Sequence, residues 1–516
     1  MKKTKKYLLA LTLVLLLGLL PLFGLQVSAT EFSTPPMLAA GGAHSLALAS
    51  DGTVWAWGYN GYGQLGDGTT EDSATPIQVP DLSEVIAIVA GDCHSLALQE
   101  DGTVWAWGDN LHGQLGNGTS GSETYGANPT QVLDLDEVTA IAAGGYYSLA
   151  LKEDGTVWAW GWNASGLLDD GSGINLDSYT PTQVQFLDEV TAIAAGTTHA
   201  LALRSDGTVW AWGGNYYSQA GNNADGTFCR IPVQIDGLSD VVAITAGALY
   251  SLALQADGTV WAWGVNSCGQ LGGGMAGKPA AIPVQVPDLD EVTAITAGSD
   301  HALALQEDGT VLAWGDCFWG LLGDKAVAGE NIPGPSPVKE PDLSDLAALS
   351  AGGGQTLALF HDGTVWAWGW NRYGQLGNGI AVEREDADPT PTQVLGENGE
   401  GFLELGVYKP TLEIPPTSLT LSQVFVPMIP EETLRLIATR DIATETAPIS
   451  WESSEPAVVS VDDAGLITAV ADGKAVITVV CGDFSADCYV TVESPSSSRI
   501  SAWNRLLFAL GNAFLV

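Results

Sequence analysis

The chain has 516 residues, with 60 acidic against 18 basic side chains and a formal net charge of −42. Nucleic acid and anionic lipid repel such a polyanion, because binding to either needs clustered Lys and Arg, so both are poor candidate partners. We attribute the acidity to solubility, with a dedicated site for basic partners as the alternative.

The first 29 residues are typical of a secretory signal peptide. Four lysines between Lys2 and Lys6 precede an apolar run from Leu8 to Leu20, and V-S-A at 27–29 forms a small-residue cleavage site. An uncleaved membrane anchor is the alternative, although the run is short for a span of about 20 residues. We expect the mature chain to be secreted or held at the cell surface.

An octapeptide recurs through most of the chain at a nearly constant period. The sequence D-G-T-V-W-A-W-G starts at residues 51, 101, 154, 206, 257 and 362, and the variant D-G-T-V-L-A-W-G starts at residue 308. The copies start about 50 residues apart. A period of this length indicates one structural unit repeated in tandem. Seven copies predict seven units.

The second unit shows what each repeat builds. Two apolar runs, 94–98 and 103–107, flank Asp101-Gly102, which predicts a hairpin with a two-residue turn and positive φ at both turn residues. V-I-A-I-V-A-G upstream and a segment like T-P-I-Q-V downstream add two more strands. Four short strands per period predict an all-β fold, a seven-bladed β-propeller over residues 38–408.

Trp105 and Trp107 lie two residues apart on the third strand and therefore share one face of it. Large residues on one face against small residues on the next allow neighbouring blades to pack closely. The area that each aromatic ring buries is enough to explain the tryptophans, so we prefer a core role to a cofactor or light-sensing array.

One repeat position carries histidine in four units and another residue in three. Because Tyr or Gln replaces His there, we interpret these side chains as scaffold and not as catalysts. The residues are His44, His94, Tyr147, His199, Tyr250, His301 and Gln355.

We find no convincing sequence motif for catalysis or for cofactor binding. G-G-G-M-A-G-K at 272–278 has phosphate-loop spacing, but Pro279 follows in place of Ser or Thr. The chain has no G-x-S-x-G, H-E-x-x-H or calcium-loop pattern. We predict no catalytic, cofactor-binding or metal-binding residues.

The two ends of the repeat array differ. The first unit lacks the upstream P-x-x-V segment, whereas the last is followed by P-T-Q-V-L at 391–395 and F-L-E-L-G-V-Y at 402–408. We predict that this tail completes the first blade, so that no sheet edge stays open.

Variation between units collects in the loop W-G-x-N-x-x-G, where Tyr216 and Phe318 are among the aromatic residues. Aromatic side chains from the same loop of successive blades are the anchors expected of a protein or glycan interface. The predicted partner-binding residues are Tyr59, Tyr62, His112, Trp162, Tyr217, Trp319, Trp370 and Tyr373.

A second regularity is acidic. The links before the first strands carry acids at equivalent places, which we interpret as a solvated rim, with a cation-attracting ring as the alternative. These residues are Glu84, Glu137, Glu189, Asp240, Glu291 and Asp345.

The repeat A-x-G-x-x-H-S-L-A-L-x-x-D-G-x-V-W-x-W-G-x-N-x-x-G-Q-L-G-x-G resembles that of the regulator of chromosome condensation family. The resemblance implies a seven-bladed propeller. The founding member is a nuclear guanine-nucleotide exchange factor and chromatin binder, and an exported, acidic chain meets neither partner. Secreted bacterial propellers with this repeat, which grip another protein through loops on one face, offer the better guide.

Residues 409–418 are a linker, and the text after it resembles the bacterial group 2 immunoglobulin-like family over 419–493. Trp451, Val461, Gly465 and Gly473 fall where that pattern has them. The resemblance implies a small β-sandwich used for adhesion or spacing at the cell surface.

The last hairpin of this module carries two cysteines. A register that sets Cys481 opposite Cys488 also sets Val479 opposite Val490, which gives one apolar face. Exported cysteines in that geometry form a disulfide, which we predict here.

Residues 494–516 comprise a spacer, S-P-S-S-S, and a short apolar tail. The tail is too short to span a bilayer. It could lie on a membrane surface, dock on another domain or be the stub of a truncated gene.

Together these features predict a monomeric, non-catalytic binding or adhesion protein without cofactors. Its partner is a protein or glycan held on the loop face of the propeller, and membrane contact is confined to the C-terminal tail. The alternative is an enzyme with an acidic site in the propeller channel; exchange-factor activity is less favoured.

Overall fold

A computed structural model gives the fold of this chain. It describes residues 32–168, 176–221, 227–274, 276–316, 320–322, 334–339, 343, 345–381, 387–406, 420–421, 425–428, 433–435, 438–439, 449–462, 466–481 and 484–492. The predicted signal peptide, the 409–418 linker and the 494–516 tail lie outside these residues. No helix of the described part is long and apolar enough to cross a membrane.

The repeats fold into seven sheets of four antiparallel strands within the described residues, each sheet built from consecutive strands. The strands of the first four blades are β1 (Met37–Ala40), β2 (His44–Leu48), β3 (Val54–Gly58), β4 (Ser73–Gln78), β5 (Val85–Ala90), β6 (His94–Gln99), β7 (Val104–Gly108), β8 (Gly126–Gln131), β9 (Val138–Ala143), β10 (Tyr147–Lys152), β11 (Val157–Gly161), β12 (Ser178–Gln183), β13 (Val190–Ala195), β14 (His199–Arg204), β15 (Val209–Gly214) and β16 (Phe228–Gln234).

The remaining blades complete the ring. Their strands are β17 (Val241–Ala246), β18 (Tyr250–Gln255), β19 (Val260–Gly264), β20 (Ala280–Gln285), β21 (Val292–Ala297), β22 (His301–Gln306), β23 (Val311–Gly315), β24 (Gly334–Lys339), β25 (Leu346–Ala351), β26 (Gln355–Phe360), β27 (Val365–Trp370) and β28 (Ala387–Gln393), followed by the 3₁₀ turn η1 (Glu397–Gly399). The first strands of successive blades contact each other, and β25 contacts β1. The predicted seven-bladed propeller is confirmed.

The D-G turn differs in detail from its prediction. In blade 2 the amide of Gly102 donates to the carbonyl of Gln99 (3.0 Å). The amide of Gln99 donates to the carbonyl of Thr103 (3.0 Å). Gly102 has φ +81°, whereas Asp101 has no positive φ. The loop is therefore a three-residue turn ending in a left-handed glycine. The carboxylate of Asp101 accepts hydrogen bonds from the amide (2.9 Å) and hydroxyl (2.7 Å) of Thr103.

The second tryptophan of each repeat ties one blade to the one before it. The indole of Trp107 is fully buried and donates from Nε1 to the carbonyl oxygen of Gln64 at 2.8 Å. The hydroxyl of Ser95 donates to the same carbonyl at 2.9 Å. The same indole bond recurs from Trp57, Trp160, Trp212, Trp263, Trp314 and Trp368. This confirms the core role predicted for these tryptophans.

The histidine position also joins neighbouring blades. The Nε2 atom of His94 lies 3.0 Å from Oγ of Ser148. Because that hydroxyl already donates to the carbonyl of Gln114 (2.9 Å), His94 must donate from Nε2, which leaves Nδ1 without a proton. Nδ1 of His94 is buried without a partner. Burial lowers the pKa of His94 to about 4, so the imidazole is neutral. The scaffold interpretation is confirmed.

Ring closure follows another route than predicted. Strand β28 pairs with β27 and completes the last blade, not the first, so the prediction that the tail finishes the first sheet is wrong. Residues 402–406 instead take the place of an interblade link. The amide of Leu405 donates to the carbonyl of Gly363 in blade 7, and its own carbonyl accepts from Ser50 in blade 1 (2.7 Å). Each sheet forms from its own repeat because strand pairing within a repeat closes only short loops.

The C-terminal module forms small sheets typical of a sandwich, as predicted. Its strands are β29 (Thr420–Leu421), β30 (Phe425–Met428), β31 (Thr433–Arg435), β32 (Ala438–Thr439), β33 (Ile449–Ser453), β34 (Val459–Val461), β35 (Leu466–Ala469), β36 (Gly473–Cys481) and β37 (Phe484–Val492). β30, β37, β36 and β33 form the largest sheet, and Ile467, Ile477 and Val490 lie in a shared core.

The predicted disulfide is wrong in this structure. In the β36–β37 hairpin Cys481 lies opposite Phe484, and Cys488 lies opposite Ile477. Four residues of extended strand separate the two positions, about 13 Å, which exceeds the 7 Å that a disulfide tolerates between Cα atoms. Cys488 is a buried free thiol. The hairpin closes with a shorter turn than the sequence prediction assumed, which shifts the register.

Candidate binding face of the propeller

One end of the ring, which we call the loop face, carries the loops after the third strand of each blade and the turns between the first and second strands. The D-G turns and interblade links lie on the opposite face, because antiparallel strands alternate in direction. In blade 1 buried Asn60 holds the long loop: its Oδ1 accepts from the amide of Leu65 (2.9 Å) and its Nδ2 donates to Asp67 (3.1 Å). The recurring Asn fixes the loop, so neighbouring variable positions need not pack in the core.

Four predicted site residues form an aromatic row across the junction of the first and last blades. Tyr59 and Tyr62 come from blade 1, and Trp370 and Tyr373 come from blade 7. The ring centroids lie 6.1 Å apart between Tyr62 and Tyr59, 4.7 Å between Tyr59 and Tyr373, and 5.5 Å between Tyr373 and Trp370. Tyr62 is 42% exposed. Arg372 lies over the ring of Tyr373, 5.5 Å from its centroid.

His112 lies in a pair that the sequence did not reveal. Its Nδ1 is 2.7 Å from Oδ2 of Asp177, a residue of the following blade, and its ring contacts Tyr146 edge to face at 5.5 Å. Asp177 also accepts from the amide of Asn163 (2.9 Å). The carboxylate thereby orients the imidazole, and both side chains are half-buried.

The other predicted residues are dispersed. Trp162 is half-buried against the core of blade 3. Tyr217 is 46% exposed in blade 4, next to Tyr216, whose ring contacts Phe228. Trp319, like Phe318, lies outside the described residues.

Sequence reasoning missed three loop-face residues. Tyr146 is 38% exposed, Asp92 is half-buried and Asp109 is buried. Burial, together with the charges of Asp92 and Asp109, raises the pKa of the Tyr146 hydroxyl. Asp92 and Tyr146 belong to the A-G-x-x-H turn, which varies from unit to unit as the long loop does. Applying the same test of variability to this turn would have found them.

Cys93 follows Asp92 in the A-G-x-x-H turn of blade 2. Burial raises the pKa of the Cys93 thiol to about 12, so it stays protonated and is a poor nucleophile. Among the described residues no three His, Cys, Asp or Glu side chains converge as metal ligands.

The channel is walled by the first strand of each blade and holds a cavity of about 210 Å³. Its described lining is mainly Ala, Ile and Leu, with hydroxyls from Thr245, Thr296 and Ser350 and no carboxylate. The acid pair required by the enzymatic alternative is therefore missing from this lining.

The opposite face carries the acidic links as predicted. Glu84, Glu137, Glu189, Asp240 and Glu291 are exposed, each with φ between +52° and +56°. The carbonyl of Glu84 accepts from the amide of Glu100 (2.9 Å), and the same bond recurs in the other links, so each link is tied to the D-G turn of its own blade. Both faces carry acidic residues. The loop face differs from the opposite face because it also carries the aromatic row, whereas the opposite face is formed by the D-G turns and the acidic links.

Family comparisons agree with this architecture. The RCC1-like domain family matches residues 173–407, and the regulator of chromosome condensation (RCC1) repeat matches residues 51–98 and 101–151. The bacterial Ig-like domain family matches residues 448–494.

Individual proteins are similar to the propeller. The ultraviolet-B receptor UVR8 of Arabidopsis thaliana is 32% identical over 70% of this chain and 83% of its own. A secretion-regulating guanine nucleotide exchange factor of Bos taurus is 30% identical over 67% of this chain and 80% of its own. The crystal structure of Prp20p from Saccharomyces cerevisiae, studied for binding to Gsp1p and histones, is 25% identical, covers 70% of this chain and 87% of that one, and has a TM-score of 0.58.

Proposed function

Because this chain belongs to the regulator of chromosome condensation family, we propose that its propeller is a non-catalytic ring that grips a partner protein through the loop face. The observation that carries the proposal is the aromatic row of Tyr62, Tyr59, Tyr373 and Trp370. Clustered, partly exposed aromatic rings are the side chains that contribute most to protein interfaces. The similar structure of Prp20p was studied for its binding to Gsp1p and histones, and this supports a protein-binding function.

The rigidity of the ring supports the same function. The aromatic row lies at the junction of blades 1 and 7, where the amide of Gly353 donates to the carbonyl of Gly41 (2.9 Å) and Gln355 donates to the carbonyl of His44 (3.0 Å). A surface held by such bonds loses little conformational entropy on binding. We further propose that the protein acts outside the cytoplasm, on the basis of the predicted signal peptide, with the immunoglobulin-like module as a spacer.

Site-specific photo-cross-linking tests this proposal in the full chain. A benzophenone amino acid at Tyr62 should give a covalent adduct with one partner protein from the culture medium or cell surface of the source organism. The same probe at Phe186, which is 77% exposed on the opposite face, is the matched control. Equal adducts from both positions, or an adduct from Phe186 alone, would contradict the proposal.

The cross-linked variant also allows a test by substitution. Tyr59→Ala combined with Tyr373→Ala should abolish the adduct while the melting temperature stays within a few degrees, since both rings are partly exposed. A glycan attached to the probe in place of a protein would assign the surface to carbohydrate binding. An N-terminal sequence of the secreted protein beginning at Thr30 would support export.

A further inference from the structure

Four residues from three blades form a second group on the loop face, which shares Tyr62 with the aromatic row. Tyr62 comes from blade 1, Asp92 and Asp109 come from blade 2, and Tyr146 comes from blade 3. A Cβ added to Gly145, which precedes Tyr146, would lie 3.0 Å from Oδ2 of Asp92. A Cβ added to Gly108, which precedes Asp109, would lie 3.2 Å from Cα of Gln64, and Oε1 of Gln64 accepts from the amide of Tyr62 (3.0 Å). The amide of Asp109 donates to the carbonyl of Cys93 (2.9 Å), which holds the two acids on adjacent turns. We name this group of four residues the cation socket.

Among the described residues, neither carboxylate of the socket has a positively charged partner. Asp109 is buried and accepts from Nε2 of Gln114 (2.9 Å) and the amide of Leu111 (3.1 Å), both neutral donors. For Asp92, no hydrogen-bond donor or cation is found among the described residues. A half-buried carboxylate without a partner is unfavourable, and a cation from outside would relieve it.

The exposed rings favour the same kind of ligand. Tyr62 and Tyr146 are 42% and 38% exposed, and the face of a tyrosine ring attracts a cation within about 6 Å of its centroid. The neighbouring aromatic row already shows this contact within the chain, since Arg372 lies 5.5 Å from the centroid of Tyr373. The net charge of −42 adds a long-range attraction for a basic partner.

We propose that the cation socket binds a lysine or arginine side chain of a basic segment of the partner protein. The cation lies against Asp92, and Tyr62 and Tyr146 cover its aliphatic stem. A metal ion is a poorer occupant, because the described residues present no cluster of three ligand side chains. This inference rests on the proposed function and specifies the charge of the partner.

A fluorescent decapeptide of alternating Lys and Gly is the probe, and the same peptide with acetylated lysines is its control. The full chain should bind the Lys peptide and not the acetylated one. Asp92→Asn should weaken binding at least tenfold, and Asp92→Glu should retain most of it because the charge remains. Tyr62→Ala should also weaken binding, since it removes one ring. Thermal unfolding of each variant shows that the ring is folded.

Glu84→Gln is the matched control, because it removes an exposed acid from the opposite face. If Asp92→Asn binds like the wild type, or Glu84→Gln weakens binding as much as Asp92→Asn does, the socket is refuted and the peptide follows net charge alone. If the Lys peptide does not bind while the probe at Tyr62 still captures a partner, this inference is wrong and the proposed function stands. If the peptide binds as expected but no partner is captured, the proposed function is wrong.

Discussion

Acid should unfold this propeller steeply, because four histidines are buried without charge. Burial lowers the pKa of His44 and His199 to about 3 and of His94 and His301 to about 4, and the proximity of His94 also contributes for His44. In the unfolded chain a histidine titrates near 6.5. Below that pH the unfolded state binds more protons than the folded state, so the free energy of unfolding decreases as the pH is lowered. Each histidine loses about 1.9 kcal/mol between pH 7 and pH 5, and four lose roughly 8 kcal/mol.

This loss is comparable with the whole stability of a typical domain, about 5–15 kcal/mol. Carboxylates have a smaller effect in the same window. The pKa of Asp101 is lowered by its hydrogen bonds to Thr103, so its contribution is lost only at lower pH. Asp92 and Asp300 have a raised pKa because of burial and act in the opposite sense, gaining stability as the pH falls.

Urea unfolding followed by tryptophan fluorescence at pH 7, 6 and 5 measures this dependence. The slope of unfolding free energy against pH should approach four protons near pH 5. His199→Gln should reduce it by one, and Gln is compatible with this position because Gln355 occupies it in blade 7. His361→Gln is the control, since that side chain is exposed. A slope below one proton in wild type, or one that His199→Gln leaves unchanged, would refute the reasoning.

Two further predictions concern stability, and a third concerns a thiol. Trp107→Phe should lower the unfolding free energy by about 2 kcal/mol through the lost interblade hydrogen bond, whereas Trp105→Phe, at a half-buried position, should cost less; urea titration compares them. Leu405→Ala should cost about 3 kcal/mol because it opens a cavity at the ring closure, whereas Phe402→Ala, 55% exposed, should be nearly neutral in thermal unfolding. Cys488 should remain a free thiol in the purified full chain, so mass spectrometry after alkylation without reduction should find it modified upon unfolding.

Local and periodic features could be predicted from the sequence. The spacing of D-G-T-V-W-A-W-G gave the number of blades, and the alternation within it placed Trp107 in the core. Exchange of His for Tyr or Gln at one repeat position indicated a scaffold role, and the contacts of these side chains with the next blade agree with it. These predictions succeeded because each depends on pairings within one repeat or on contacts that recur in every repeat.

The wrong predictions concern strand pairings that the neighbouring sequence does not determine. Strand β28 could pair with either end of the ring, and only the assembled blades show that residues 402–406 serve as a link. For Cys481 and Cys488, several registers keep the apolar residues on one face, because side chains alternate with a period of two.

The amino-acid sequence by itself determined seven blades, the turns within them and the layer of buried indoles, since short-range strand pairing and periodic burial are sufficient for these. Only the tertiary structure decided how the ring closes and which loop residues meet. Tyr62, Asp92 and Tyr146 lie in three different repeats, and their proximity depends on the curvature of the closed ring. The candidate site is therefore a property of the assembled propeller, in which side chains far apart in the chain share one surface.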